Sequence, residues 1–429
     1  MNYRNLFEGI DSLVKLENNQ YALPINFDNG ATTPPLKSVV DIVNKNIQNY
    51  GPIARGLGQK GDYCTEEFEA ARDYLLEFFN LKNSNTHTVI YTKSTTEGLN
   101  LLSKVLIKNK DDIVLTTRME HHANDLPWRY AASVEYVETD TLGRVRIEDI
   151  ERKLIKHCGH VKYVAITAAS NVTGYINTIN KIAQICHKYG AQIIVDGAQI
   201  VAHREVNMLG HNKEDQIDFL VFSAHKAYAP FGSGAIIGLK DDLNSNNPFL
   251  KGGGCVKGVF DSYVTWEEVP HRLEAGTQNF FGVIAMAKAL KDLKEIGFKN
   301  ISDHENNIKN HILGEINKIK NVICYGDIQN TDDRLGVISF NIKNKNYEEV
   351  ASYFANKYAI ALRCGKFCAH PYVDRLIGVT SSISYIDILD DDWKIGMIRA
   401  SLGLYNTIEE ADKFLNILEH IANTNNQII

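Results

Sequence analysis

A chain of 429 residues can bury a large core and, as a soft prior, holds two or three domains. Its net charge of -6 excludes a general nucleic-acid surface, which needs a basic face against phosphates. With 44% hydrophobic and 23% charged residues and no apolar run near membrane-spanning length, no membrane partner is expected either. The polar start MNYRNLFEGIDSL lacks the layout of a signal peptide, so a cytoplasmic location is expected. Seven scattered cysteines, an odd number, fit reduced thiols better than a disulfide framework.

Leu36, Val39, Val40, Val43 and Ile47 keep helical spacing, as do Phe68, Ala71, Leu75 and Phe78 in a segment opened by Thr65, Glu66 and Glu67. Between them, Gly56-Leu57-Gly58-Gln59-Lys60-Gly61 matches GxGxxG but follows Pro52 and a polar turn instead of a strand, which rejects a nicotinamide site. Strands are expected at TVIYT (88–92), DIVLTT (112–117), VEYV (134–137), KYVAIT (162–167), AQIIVD (191–196), DFLVF (218–222) and GAIIGL (234–239). Strands apolar throughout and separated by helices predict a mostly parallel sheet covered on both faces. After residue 281 the helical stretch FGVIAMAKALKDLKEIG leads to LGVISFNI as a strand, YEEVASYFANKY as a helix, AIALR and MIRASLG as strands, and a last helix from Ile408. The pattern predicts an N-terminal segment 1–25, a large α/β domain 26–290 and a smaller C-terminal α+β domain 291–429.

In open α/β sheets, ligands bind beyond the carboxyl ends of the strands, so the polar residues there are the ones to inspect. One strand ends in Lys93-Ser94-Thr95-Thr96-Glu97 and runs straight into a helix, a place for a phosphate or simply an N-cap. Another ends at Asp196 in VDGAQ, either a partner for a protonated ring nitrogen or a capped turn. The core strand FLVF ends in Ser223, His225 and Lys226, and a lysine there is costly unless it is paired, deprotonated or covalently used. Glu120-His121-His122 follows DIVLTT; adjacent histidines suit one metal ion poorly, so no metal is expected, and a flat imidazole against an aromatic cofactor fits better than a metal ligand, with a structural histidine the other reading. Cys364 and Cys368 form a CxxxC, which is neither a thioredoxin-like nor a zinc-ribbon spacing. A phosphate cradle, a carboxylate, a planar stacking group and a lysine are together what pyridoxal 5'-phosphate requires.

The motifs KSTTEGLNLL, MEHHANDLPW, ASNVTG, VDGAQ, FSAHK, RLEAGTQN, RCGKFCAHP and IRASLGLYNT, in that order from about Asp28 to the last helix, resemble the class V aminotransferase family of fold-type I pyridoxal-phosphate enzymes. Within it they are most similar to the Suf-type cysteine desulfurases, also called selenocysteine lyase-like. The resemblance implies that Lys226 forms the Schiff base with the cofactor and moves the substrate's Cα proton. It implies that Asp196 pairs with the pyridine nitrogen, that Gln199 reaches the ring hydroxyl and that His121 stacks on the ring. Thr96, Ser223 and His225 resemble the phosphate ligands, with Thr95 beside them. Thr277 matches a threonine that reaches the phosphate from the partner subunit, which implies a homodimer with shared sites. Asn171 and Arg399 match the groups that hold the substrate carboxylate, with Arg363 close by.

Cys368 sets the implied reaction. Its thiolate would take the sulfur of L-cysteine as a persulfide, release L-alanine and pass the sulfur to an acceptor protein, in sulfur mobilisation such as iron-sulfur cluster assembly. A thiol of pKa about 8.5 needs nearby positive charge to ionise, and Lys366 and Arg363 stand in position to supply it. A lone cysteine is otherwise an inert small hydrophobe. Other family members, carbon-sulfur lyases and an epimerase, work without a persulfide and are the alternative. The stretch 371–396 is expected to be an insertion, longer than in compact Suf-type enzymes.

Overall fold

A strand that is apolar on both faces has no solvent side, and six runs of that kind between residues 87 and 239 assemble into one sheet with a seventh, partly exposed edge run at 133–137. They are β1 (His87–Thr92), β2 (Ile113–Thr117), β3 (Ser133–Val137), β4 (Val161–Thr167), β5 (Gln192–Asp196), β6 (Phe219–Ser223) and β7 (Gly234–Leu239), in the order β1-β7-β6-β5-β4-β2-β3. Strands β2 to β6 pair in parallel, and β7 runs antiparallel to both β1 and β6. The structure, a computed structural model, describes residues 3–54, 57–157, 159–378 and 395–424. Among these residues no helix is long and apolar enough to cross a membrane.

The helices that matter for the site are α1 (Lys37–Ile47), α2 (Gln59–Phe78), α3 (Thr95–Leu106), α4 (Leu126–Ala131), α5 (Ile147–Lys156) and α6 (Ile179–Lys188). They are followed by α7 (Phe280–Ile296), α8 (Phe298–Ile316), α9 (Tyr347–Tyr358), α10 (His370–Ile377) and α11 (Ile408–Asn423). Helix α2 begins at Gln59, six residues before the expected opening at Thr65. Tertiary contacts set that start: Lys60 Nζ donates to the Gln48 carbonyl (2.6 Å) and Tyr63 OH to Asn46 Oδ1 (2.6 Å), tying its first turn to α1. A Cβ at Gly51 would lie 2.7 Å from the Gly61 nitrogen, so glycine serves close packing there.

Helix α3 lies directly on the sheet. A Cβ at Gly98 would meet Val221 Cγ1 at 2.5 Å, so only glycine lets the helix come this near to β6. One face of the sheet packs Leu99, Leu102 and Val105 of α3 with Trp128. The other packs Phe68 and Leu75 of α2 with Ala285, Ala289 and Leu293 of α7.

A second, antiparallel sheet of β8 (Val322–Cys324), β9 (Val337–Ile342), β10 (Arg363–Gly365) and β11 (Met397–Ser401) has the order β8-β9-β11-β10. Its own core joins Ile338, Phe340 and Ile398 to Phe354 of α9 and Phe414 and Leu418 of α11. Ile25 and Phe27 belong to this core, because Ile25–Asn26 pairs in parallel with Ile360–Ala361. The expected strand AIALR therefore splits, its first part on Ile25–Asn26 and Arg363 onward on β11. Of the expected insertion 371–396, residues up to Ile377 continue α10, and 379–394 lie outside the described residues.

Candidate active site

The carboxyl ends of β1 and β6 meet at the N-terminus of α3. Ser94 caps that helix by accepting the Glu97 N–H (3.3 Å), and Glu97 Oε2 accepts the Lys93 N–H (2.5 Å), which fixes the turn. Thr95 then faces β6: its N–H donates to Ser223 Oγ (2.7 Å), and the two hydroxyls are 2.8 Å apart. His225 Nδ1 lies 3.2 Å from Thr32 Oγ1, and burial, then Lys226, pull its imidazole down to about 4. Backbone donors at a helix start, two threonine hydroxyls, a serine and a neutral imidazole make an anion site without fixed charge of its own.

Lys226 closes the single turn after β6. Its Nζ has no hydrogen-bond partner among the described residues. Burial, opposed by Asp196 and reinforced by Arg399, lowers its ammonium to about 8. Across the cavity, Asp196 at the end of β5 accepts the Ala198 N–H through Oδ1 (2.9 Å). Its burial raises its carboxyl above the usual range, while Ala198 and Lys226 act the other way. Gln199 donates from Nε2 to the Gly30 carbonyl (2.9 Å).

His121 follows β2 and accepts the Ala123 N–H on Nδ1 (3.0 Å), which assigns its proton to Nε2. Burial first, then Lys226, His122 and Arg399, pull it down to about 4, so it is neutral at pH 7. Beneath it, Glu120 accepts from Thr117 Oγ1 (2.6 Å) and Asn124 Nδ2 (2.7 Å), and Asn124 accepts from Trp128 Nε1 (3.1 Å). Burial drives the Glu120 carboxyl up to about 8 despite those two donors.

The second sheet supplies the far wall. Arg399, on β11 and 3% exposed, donates from Nη1 to the Asn171 carbonyl (2.9 Å) and from Nη2 to Asp28 Oδ1 (2.9 Å). Its Nε is buried and has no hydrogen-bond partner among the described residues. Gly30 makes room for it, since a Cβ there would lie 3.3 Å from Arg399 Cζ. Asn171 donates from Nδ2 to the Phe367 carbonyl (2.8 Å), and the His122 N–H donates to the Cys368 carbonyl (2.7 Å), so the cysteine loop is tied to the large sheet at two points. Phe367 and Cys368 both have left-handed backbone (φ 50° and 53°). The Cys368 thiol is exposed. Lys366 pairs with Asp374 (2.7 Å), which neutralises its charge locally.

Thr95, Thr96, His121, Asn171, Asp196, Gln199, Ser223, His225, Lys226, Arg363, Cys368 and Arg399 all line one cavity of about 250 Å³. Thr277 does not: it is exposed in a separate cleft beside Lys93, Glu97 and Gln278. Residues 25–414 match the family model for aminotransferase class-V. The chain belongs to the class-V aminotransferase family. A probable cysteine desulfurase of Halalkalibacterium halodurans is 31% identical over 407 residues, 92% of each chain. A cysteine desulfurase of Haloferax volcanii is 30% identical over 92% of this chain and 88% of its own. Among solved structures, a cysteine desulfurase from Thermococcus onnurineus NA1 superposes with a TM-score of 0.82 at 29% identity, covering 93% and 94% of the two chains. The Escherichia coli cysteine desulfurase CsdA gives 0.80 at 25% identity, covering 97% of each.

Membership of the class-V family implies dependence on pyridoxal phosphate. The residues present fit that group. An unpartnered lysine amine, a buried carboxylate and a neutral imidazole surround the centre of the cavity, the α3 N-terminus forms one end and an unpartnered guanidinium nitrogen the other. Sequence pattern marks none of Asp28, Gly30 and Phe367 for the site, and it brings up Glu120 only beside His121 as a poor metal ligand set. Asp28 stands at the start of the family resemblance, and nothing local announces that it and Gly30 meet Arg399, some 370 residues away.

Proposed function

We propose that this class-V enzyme is a cysteine desulfurase that converts L-cysteine to L-alanine and keeps the sulfur as a persulfide on Cys368. The observation that carries this reading is that the Cys368 residue, the Lys226 amine and the Arg399 guanidinium line one cavity. Ser223, His225, Thr95 and Thr96 would hold the cofactor's phosphate, Asp196 its ring nitrogen, Gln199 its hydroxyl and His121 its face. When bound, pyridoxal phosphate supplies an electron sink for loss of the amino acid's Cα proton and cleavage of its Cβ–S bond.

Lys226 Nζ, lowered to about 8, is close enough to neutrality at working pH to take that proton and return it. Arg399, aided by Asn171 and with Arg363 nearby, orients the substrate carboxylate and thereby the Cα–H bond. Cys368 Sγ, as thiolate, attacks the substrate sulfur; the S–S bond forms as the C–S bond breaks, its electron pair leaves with carbon, one proton completes alanine's methyl group and another restores Cα–H. His121, neutral with its proton on Nε2, keeps a ring N–H donor at the wall of the same cavity.

Similarity to cysteine desulfurases supports this chemistry, and the exposed Cys368 supports hand-over to an acceptor protein. The test is peptide mass mapping of the holoenzyme after brief incubation with L-cysteine and no reductant. One added sulfur on Cys368 is expected. An unmodified Cys368 in a protein that still carries its cofactor would overturn persulfide chemistry and favour a lyase or epimerase of the same family.

A further inference from the structure

Phe367 stands immediately before the proposed sulfur acceptor, in a backbone conformation that a bulky side chain rarely adopts. Its φ of 50° persists because both ends of the residue are held. The carbonyl accepts Asn171 Nδ2 (2.8 Å), and the Ala369 N–H closes the turn on the Lys366 carbonyl (2.9 Å). The ring is 7% exposed and packs with Met119, Val172 and Tyr372 on one side. On the other, Arg399 Cζ lies 5.0 Å from its centroid.

A guanidinium offers five N–H donors in one plane, so its partners in that plane and the groups above it decide where a free edge points. Here Nη1 is engaged by the Asn171 carbonyl and Nη2 by Asp28, which leaves Nε buried and without a partner. Two in-plane contacts permit rocking about the line joining them; a ring over the face stops it. A desolvated cation over an aromatic face gains more than an exposed one does, and Arg399 is almost wholly buried.

We propose that Phe367 is a positioning residue for substrate recognition: its ring fixes the plane of the Arg399 guanidinium that the incoming α-carboxylate meets. The inference rests on the proposed role of Arg399 and extends it to a residue that never touches the reacting atoms. The bland alternative is that the ring only fills space beside Met119 and Tyr372.

The test separates the two by titrating cofactor-loaded protein with L-alanine and with ethylamine, which lacks the carboxylate, and following the cofactor's visible absorbance. Phe367→Leu keeps the bulk and removes the aromatic face. It is expected to weaken L-alanine about tenfold and leave ethylamine unchanged, while Phe367→Trp keeps the wild-type preference. Equal shifts for both ligands, or no shift, would overturn the proposal. An Arg399→Lys control locates the failure. If it lowers the preference and Phe367→Leu does not, only the role of Phe367 falls; if it too leaves the preference intact, the assignment of Arg399 falls and takes that of Phe367 with it.

Discussion

Individual residues of this site are set by what burial does to charge. Lys226 and Asp196 are pushed toward neutrality by desolvation and pulled back by each other. Glu120 has no cation to restrain it among the described residues, and burial leaves it mostly protonated at pH 7. Its folded pKa of about 8 stands above its ordinary value of 4.5. Between pH 5 and 8 the folded chain therefore keeps a proton that the unfolded chain has released, so this group's contribution is best at acid pH and falls as pH rises. Glu120→Gln carries an amide where the neutral acid carries its hydroxyl, and it has no charge to form. The variant should gain on wild type by up to a few kcal/mol as pH rises from 5 to 8. Melting temperatures of both proteins at the two pH values check this, and parallel profiles would sink it.

At the scale of elements, the strands and the residues ending them were legible because their signal is local. Each of β1, β2 and β4 to β7 is a short, mostly apolar run closed by a polar turn, and fold rules alone direct attention to Thr95, His121, Asp196, Ser223 and Lys226. Contacts between distant elements were not legible. Nothing near Thr65 says that α2 starts at Gln59, since Lys60 and Tyr63 reach back to α1, and nothing near Phe367 says that Arg399 lies over its ring. Gly98 shows how an element positions a site. Alanine would gain about 1 kcal/mol in helix propensity, but its Cβ would sit 2.5 Å from Val221 Cγ1, and overpacking of that kind costs about 1–3 kcal/mol. The clash wins, and it wins by lifting the α3 N-terminus away from Ser223. Gly98→Ala should lower the melting temperature and weaken cofactor retention about tenfold, as read by equilibrium dialysis. Unchanged retention would show that Thr95 and Thr96 tolerate the shift.

For the whole molecule, the cavity exists only where two independently packed sheets meet. Arg399 on β11 bonds the Asn171 carbonyl beyond β4, and Asn171 in turn holds the loop that carries Cys368. Thr277 is the exception, exposed outside the cavity of its own chain. Its segment is held firmly for so exposed a place. Glu274 makes a buried two-pronged pair with Arg72 (2.9 Å at each prong) and accepts the Tyr91 N–H (2.8 Å), so the loop starts from a rigid anchor at β1 and α2. A rigid, exposed threonine suits a role in a neighbouring subunit's phosphate site, as the motif RLEAGTQN implies. In a two-fold dimer built that way, each complete site takes Lys226 from one chain and Thr277 from the other. Lys226→Ala and Thr277→Ala proteins, each impaired alone, would then complement when unfolded and refolded together. Random reassociation places one intact site in half of the dimers, so the mixture should recover about a quarter of wild-type activity. If Thr277 served its own chain, no hybrid would contain an intact site, and the mixture would show no more than the average of the two variants.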